Sequence, residues 1–112
     1  MAELTDGELV KITRREVEKY AGFSDNATAY PISDDKRKIY AVTAIRHEPG
    51  EDHSWIIVQA HVLHQHVIVD EDNVLDKKLI DALTQAGIPR NQIILAYAAE
   101  NNLVPLKQDV FE

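Results

Sequence analysis

Three histidines and an aspartate lie close together in the middle of the chain, and their side chains could hold a metal ion. His61, His64 and His66 fall within one short segment, and Asp70 follows it. Imidazoles two positions apart on a strand face the same side, and imidazole and carboxylate groups bind zinc. The pattern raises the hypothesis of a small metal-dependent hydrolase or nuclease that uses His64, His66 and Asp70.

A turn between Leu63 and His66 is the alternative for the same segment. Such a turn would break the alternation that brings the imidazoles together, and histidines are readily accommodated at polar hairpin tips. Two further histidines, His47 and His53, could add a ligand, but short motifs match by chance often. We therefore favour the hairpin, and the sequence assigns no catalytic, cofactor-binding or metal-ligating residue.

The acidic run from Asp70 to Asp72 allows two interpretations. Three carboxylates after a strand could hold Mg²⁺ beside a substrate phosphate. Carboxylates that precede a helix also interact favourably with its positive end, and Asp72 or Asn73 is suited to be its N-cap. Capping requires no ligand, so it is the simpler interpretation.

Negative charge dominates the chain, with 19 Asp and Glu against 12 Lys and Arg and a formal net charge of −7. Because nucleic-acid binding depends on cations that neutralise phosphates, direct binding to nucleic acid is not expected. The basic run Lys36–Lys38 is preceded by Asp34 and Asp35, which favours a solvated hairpin over a phosphate contact. No candidate nucleophile has a neighbouring base that the sequence identifies.

Length and composition predict a single domain over residues 1–112. The 112 residues are 45% hydrophobic and 28% charged, which is ordinary for a globular protein. The absence of cysteine excludes disulfides and thiolate metal sites. No apolar run is long enough to span a membrane, and the N-terminus lacks the pattern of a secretory signal. We therefore expect a cytoplasmic protein.

The first helix has clear signals at both ends. Thr5-Asp-Gly-Glu8 fits a capping box. Apolar residues then recur at helical spacing, as one buried stripe requires: Leu9, Ile12, Val17 and Tyr20. Gly22 is expected to end the helix as a left-handed C-cap, with Phe23 folding back onto the last turn. The predicted helix covers residues 6–21.

Strands and a second helix fill the rest of the chain. Strands are predicted at 27–32, 38–46, 55–63, 67–69 and 92–97. Pro31 places the first of them at a sheet edge. The second helix is predicted from Asn73 to Ala86, because Gly87 and Pro89 stop it. Residues 103–111 are expected to form a short strand or coil.

This order of elements predicts an α+β fold with a mixed, mostly antiparallel sheet and two helices packed on one face. The strand–helix–strand unit from Val67 to Leu95 predicts one parallel pair, and the short links elsewhere predict antiparallel pairs.

Several strands are apolar on both faces. Val67–Val69 and Ile93–Leu95 contain no polar residue, and alternation places Trp55 and Ile57 opposite Ile56, Val58 and Val62. Two helices cover one face only, and exposed apolar patches usually mark interaction surfaces. We expect a homodimer or a partner protein on the other face. The alternative is a curled sheet that the C-terminal tail covers.

The segment Gly87–Tyr97 has the sequence Gly-Ile-Pro-Arg-Asn-Gln-Ile-Ile-Leu-Ala-Tyr. It resembles the helix-to-strand signature of the XisI-like family, the fdxN-element excision controlling factors found mainly in cyanobacteria. The acidic step at 70–73, the chain length and the pair Tyr20-Ala21 are similar too. Family members usually carry histidine where this chain has Ala98, and their C-terminal motif differs from the end of this chain.

The resemblance implies a small α+β protein that assists programmed excision of a DNA element. It implies a non-enzymatic accessory or regulatory factor that acts through protein–protein contacts. The implied partners are the recombinase machinery and a nuclease-like companion. The resemblance implies no catalytic residue and no cofactor.

Overall fold

Two α-helices and six strands make up residues 3–99, the part of the chain that the computed structural model describes. The elements are, in chain order, α1 (Asp6–Glu18), β1 (Gly22–Phe23), β2 (Ala27–Asp34), β3 (Ile39–Arg46), β4 (Ser54–Leu63), β5 (His66–Asp72), α2 (Leu79–Gln85) and β6 (Ile93–Leu95). Short 3-10 helices precede and follow β6, at Arg90–Gln92 and Ala96–Ala98.

The strands form one mixed sheet in the order β1-β2-β3-β4-β5-β6. Neighbours from β1 to β5 are antiparallel, and β5 and β6 are parallel because α2 carries the chain back between them. Both predictions of strand direction are confirmed. Since β1 pairs only with Thr28 and Ala29, Pro31 lies on an edge of the sheet, as predicted.

Both helices pack on one face of this sheet, so the predicted α+β architecture is confirmed. α1 lies against β3, β4, β5 and α2. The predicted capping box begins α1: Thr5 Oγ1 accepts a hydrogen bond from the Glu8 amide at 3.2 Å, and Glu8 Oε1 accepts one from the Thr5 amide at 2.9 Å. The helices bury a single core with the strands, including Leu9, Val17, Tyr40, Val42, Val58, Val62, Val67, Val69, Leu79, Leu83 and Ile93.

The end of α1 differs from the prediction. The helix stops at Glu18, and the next amides bond to carbonyls three residues back, Tyr20 to Val17 at 3.0 Å and Ala21 to Glu18 at 3.1 Å. This tightened turn leads into β1, so Gly22 is a strand residue and the predicted C-cap is wrong. Phe23 is 78% exposed and does not fold back onto the helix.

The second helix is shorter than predicted and begins at Leu79. Asn73 is still bonded to β4, with its amide on the Ile57 carbonyl and its side chain on the Ile56 carbonyl, both at 2.8 Å. A helix that started at Asn73 would break those bonds. Residues 73–78 therefore form a loop, in which Leu75 is 94% exposed.

An extra residue in β4 changes the side-chain alternation. Val42 aligns with Val58 and Thr43 aligns with Ile56, so Ile57 has no partner on β3. The bulge lets Ile57 and Val58 both contact the core beneath the helices. The prediction that Ile57 and Val58 lie on opposite faces is wrong for this reason.

The β4–β5 hairpin turns at His64 and Gln65, whose φ angles are +51° and +60°, so the predicted turn between Leu63 and His66 is confirmed. The strand predicted at 92–97 is confirmed as the shorter β6. The structure predicted for residues 103–111 lies outside the described residues, and a single domain over 1–112 stays a prediction. No helix within residues 3–99 has the length and apolarity that crossing a membrane requires.

Candidate functional site: the open face of the sheet

The face of the sheet that is turned away from the helices is called the open face here. Strand alternation identifies its residues: His61 lies between Ala60 and Val62, which are both in the core beneath the helices, so its side chain is on the other side. Aligned residues share a face. Three rows therefore cross the open face: Tyr30–Thr43–Ile56, Ile32–Ala41–Gln59–Glu71 and Ile39–His61–Ile68–Ile94.

Large apolar side chains are exposed on the β1–β3 half of this face. Phe23 is 78% exposed, Ile32 52%, Tyr30 48% and Ile39 38%. The Phe23 ring stacks on the His47 ring at a centroid distance of 5.5 Å, so the apolar surface extends to the far edge of the sheet. Exposed apolar groups gathered on one face mark an interaction surface.

The open face is covered where β5 pairs with β6. Ile68 and Ile94 are only 1% and 4% exposed and form a small second core with Leu63 and Ala96. The sequence had indicated an interface at these doubly apolar strands. Instead, the exposed residues lie on β1, β2 and the start of β3. The alternation of Tyr30 and Ile32 around Pro31 was the signal for them, because it puts apolar side chains on the outer side of an edge strand.

A histidine–carboxylate pair lies on the open face next to its apolar residues. His61 Nδ1 is 2.7 Å from Asp70 Oδ2, and the two side chains are 20% and 23% exposed. Ala60 aligns with Val69 and Gln59 aligns with Glu71, so Asp70 is the extra residue of a bulge in β5. This bulge places the Asp70 carboxylate beside His61, a contact that strand alternation alone does not predict.

The residues of the metal-site hypothesis are not brought together. His64 lies in the hairpin turn, and His66 Nδ1 donates to the His64 carbonyl at 2.7 Å. Asp70 bonds to His61 instead of either residue. Within residues 3–99, no group of three or more histidines or carboxylates is arranged to hold a metal ion.

The other two histidines hold loops in place. His47 lies 3.0 Å from the Asp25 carbonyl through Nδ1 and 3.0 Å from Thr28 Oγ1 through Nε2. His53 Nδ1 donates to the Glu48 carbonyl at 3.0 Å. Neither residue is placed beside His64 or His66 by these contacts.

The acidic run splits into three separate roles. Asp70 pairs with His61, and Glu71 is exposed on the open face. Asp72 is 6% exposed, and its Oδ2 accepts a hydrogen bond from the Leu79 amide at 2.8 Å. Asp72 thus stabilises the start of α2 across the loop, but Lys78 holds the N-cap position, so the prediction that Asp72 or Asn73 is the N-cap is wrong.

Two basic residues near the β2–β3 turn, Arg37 and Lys38, are paired with carboxylates. Arg37 bonds to Asp34 at 3.0 Å, and Lys38 lies 3.5 Å from Asp6. The Arg37 contact also holds the pKa of Asp34 below its ordinary value, first through the bond from the Arg37 amide and then through the guanidinium. This turn is a solvated hairpin, as the sequence indicated.

Two residues of the Gly87–Tyr97 segment have clear structural roles. Gly87 adopts φ +110°, which glycine tolerates best. Gln92 is fully buried, and its side-chain amide bonds to the Leu4 amide and carbonyl at 2.9 and 3.0 Å and to the Gln65 carbonyl at 2.9 Å. It thereby joins the N-terminal segment to the β4–β5 hairpin.

The family comparison agrees with this geometry. The chain matches the family model described as XisI protein over residues 5–103. This chain belongs to the XisI family. The family resemblance inferred from the Gly87–Tyr97 segment is therefore confirmed, and the match extends over nearly the whole chain.

Two solved structures from Anabaena variabilis ATCC 29413 share the XisI fold. One, described as a XisI-like protein, has 14% sequence identity and a TM-score of 0.72, covering 83% of this chain and 87% of its own. The other, described as the fdxN element excision controlling factor XisI, has 20% identity and a TM-score of 0.59, with coverages of 82% and 88%. No curated protein matches the chain.

Proposed function

We propose that this XisI-family protein is a non-enzymatic accessory factor in programmed excision of a DNA element, acting through protein–protein contacts in the cytoplasm. Family membership supports this role, as does the fold shared with a protein described as an excision controlling factor. The Anabaena origin of both solved neighbours supports a cyanobacterial setting. The partner is a second copy or a different protein, such as a nuclease-like companion or the recombinase machinery.

The observation that carries the proposal is the exposure of Phe23, Tyr30, Ile32 and Ile39 on one face. An apolar surface of this kind is favourable to bury, at about 25 cal/mol for each Å² removed from water. A protein surface is the natural cover for it. The net charge of −7 makes DNA an unfavourable partner.

The non-enzymatic part of the proposal is supported by how the candidate chemical groups are used. His66 is bonded to the hairpin backbone, Asp72 to the start of α2, and Asp70 to His61. Each group already has a structural partner. Within residues 3–99, no assembled site supports the metal-dependent hydrolase that His64, His66 and Asp70 suggested.

The test is an excision assay in a strain that lacks the gene. Complementation with the wild-type gene should restore the excision junction, measured by quantitative amplification. Ile32→Asp and Tyr30→Asp should reduce the junction strongly, because each puts a charge in the buried centre of the contact. Leu75→Asp is the matched control, since Leu75 is exposed on the loop before α2 and not on the open face.

Full excision activity in the two open-face variants, with stable protein confirmed in the cells, would contradict the proposed contact surface. Excision that is independent of the gene would contradict the proposed process. Purified protein that hydrolyses DNA with an added divalent metal, and loses that activity in His64→Ala, would contradict the non-enzymatic role.

A further inference from the structure

The strand positions of the open face carry charged side chains of one sign, histidines apart. Among the strand residues from Gly22 to Leu95, the only basic residue is Arg46, apart from histidines. The Arg46 guanidinium lies 4.8 Å from the Trp55 ring centroid, and Trp55 aligns with Ala44 on the helix side. The open-face strand positions therefore carry the carboxylates of Asp34, Asp70 and Glu71 and no lysine or arginine.

The three open-face carboxylates differ in what they contact. Asp34 bonds to Arg37, and Asp70 bonds to His61. Glu71 is exposed and has no ion pair with any residue in the described range. Of these three carboxylates at described strand positions, Glu71 is thus the one available for a charge supplied from outside.

Glu71 is aligned with the exposed apolar surface. It ends the row Ile32–Ala41–Gln59–Glu71, which runs straight across four neighbouring strands. With about 4.8 Å between strands, the carboxylate lies roughly 14 Å from the Ile32 position. A single docked element can therefore cover Ile32 and reach Glu71 at the same time.

We propose that the open face docks a different protein whose surface has an apolar centre and an arginine or lysine that pairs with Glu71. This inference rests on the proposed function in taking the open face as the protein-binding surface. It goes further by choosing between a second copy and another protein. The choice follows from the charges, since buried carboxylates require a partner of opposite sign.

A second copy does not supply that partner. Two open faces in contact would bring Glu71 against a surface whose strand positions carry no lysine or arginine, and Arg37 of the adjoining turn is already bonded to Asp34. Each chain also carries a net charge of −7. Like charges brought together at an interface weaken binding, so they disfavour a second copy as the partner. DNA is disfavoured by the same sign of charge.

The experiment uses the full chain and two synthetic probes. One is an amphipathic helical peptide with leucines on one face flanked by arginines, and the other has glutamate in place of every arginine. The arginine peptide should shift the backbone amide signals of Ile32, Ile39 and Glu71 in NMR titration, and its affinity should fall as salt rises. The glutamate peptide should not bind.

Variants identify the contact. Glu71→Lys should weaken binding of the arginine peptide by about tenfold or more, since it replaces attraction with repulsion. Asp76→Lys is the matched control, because it makes the same charge change at an exposed position on the loop before α2. Ile32→Asp should weaken binding of the peptide through the apolar part of the surface.

Three results would overturn the inference. They are equal binding of both peptides, unchanged binding in Glu71→Lys, and a wild-type dimer in light scattering that Ile32→Asp converts to a monomer. The dimer result would leave the proposed function intact, with a second copy as the cover. The excision assay does not depend on the peptide experiment, so a failure of the proposed function can be distinguished from a failure of this inference.

Discussion

His61 Nδ1 and Asp70 Oδ2 lie 2.7 Å apart on the open face, beside the exposed apolar residues of the sheet. A carboxylate can only accept a hydrogen bond, so the imidazole donates from Nδ1. The residues in the described part of the chain make no hydrogen bond to Nε2 of His61. The pair thus fixes the orientation of a ring whose second nitrogen is left for a partner.

The first prediction concerns the protonation pattern of His61. In the neutral wild-type imidazole the proton should reside on Nδ1, and Asp70→Ala should shift the population toward the Nε2 form. Long-range ¹H–¹⁵N NMR of the rings measures both forms. His53, whose Nδ1 donates to the Glu48 carbonyl, is the internal control and should not change. A wild-type ring protonated mainly at Nε2 would contradict the observed pairing.

The second prediction concerns Gln92. Gln92→Ala should destabilise the fold by about 2–3 kcal/mol, because it removes three hydrogen bonds and leaves backbone groups of Leu4 and Gln65 without their partner. Chemical denaturation measures the loss. Asn91→Ala, at the neighbouring exposed position, should change stability by less than about 0.5 kcal/mol. Equal effects of the two substitutions would show that the buried amide network is unimportant.

The third prediction concerns the start of α2. Asp72→Ala should cost about 1 kcal/mol, because the Leu79 amide loses its acceptor at 2.8 Å. Hydrogen exchange should become faster at Leu79 before it changes in the central strands. Glu71→Ala removes the adjacent, exposed carboxylate and should leave that exchange rate unchanged. Unaltered exchange at Leu79 in Asp72→Ala would be inconsistent with this capping role.

The fourth prediction concerns alkaline stability. Burial raises the pKa of Tyr20 to about 12, helped by the nearby carboxylates of Asp72, Glu16 and Asp81. Burial, followed by the hydrogen bond to Asp35, likewise raises the pKa of Tyr40 to about 12. An unfolded tyrosine has a pKa of about 10. The stability that these hydroxyls contribute is therefore complete below about pH 10 and is lost as the pH rises toward 12.

Tyr40→Phe tests this linkage. At neutral pH it should destabilise the protein by about 1 kcal/mol, because the 2.9 Å bond from the Tyr40 hydroxyl to Asp35 is lost. The difference from wild type should shrink between about pH 10 and 12, since only the wild-type protein loses the contribution of Tyr40 there. Denaturation across this range measures it. A constant difference would mean that Tyr40 titrates alike in both states.

Local signals in the sequence were sufficient for much of the fold. The capping box at Thr5 and Glu8 requires only residues in contact along the chain, so its prediction was confirmed. The turn at His64 and Gln65 and the parallel pair of β5 and β6 followed from short-range patterns and chain connectivity. The predicted end of α1 and the predicted start of α2 were wrong, because contacts with strands compete there with helix formation. Asn73, for example, is hydrogen-bonded to β4 and does not begin α2.

The candidate site depended more on register than on residue type. The sequence indicated an uncovered apolar face but located it on the strands at 55–63, 67–69 and 93–95. Bulges in β4 and β5 alter which side chains share a face, and a bulge depends on the partner strand as well as on the bulged one. Hence neither the His61–Asp70 pair nor the alignment of Ile32 with Glu71 could be predicted from spacing alone.

The amino-acid sequence by itself determined the α+β class, the capping of the first helix, the acidity and the likeness to the XisI family, because each depends on composition or on neighbours along the chain. Only the tertiary structure decided which apolar residues stay exposed and which carboxylate meets which histidine. Those outcomes depend on strand register and on coverage by distant elements. One inserted residue moves every later side chain to the opposite face of its strand.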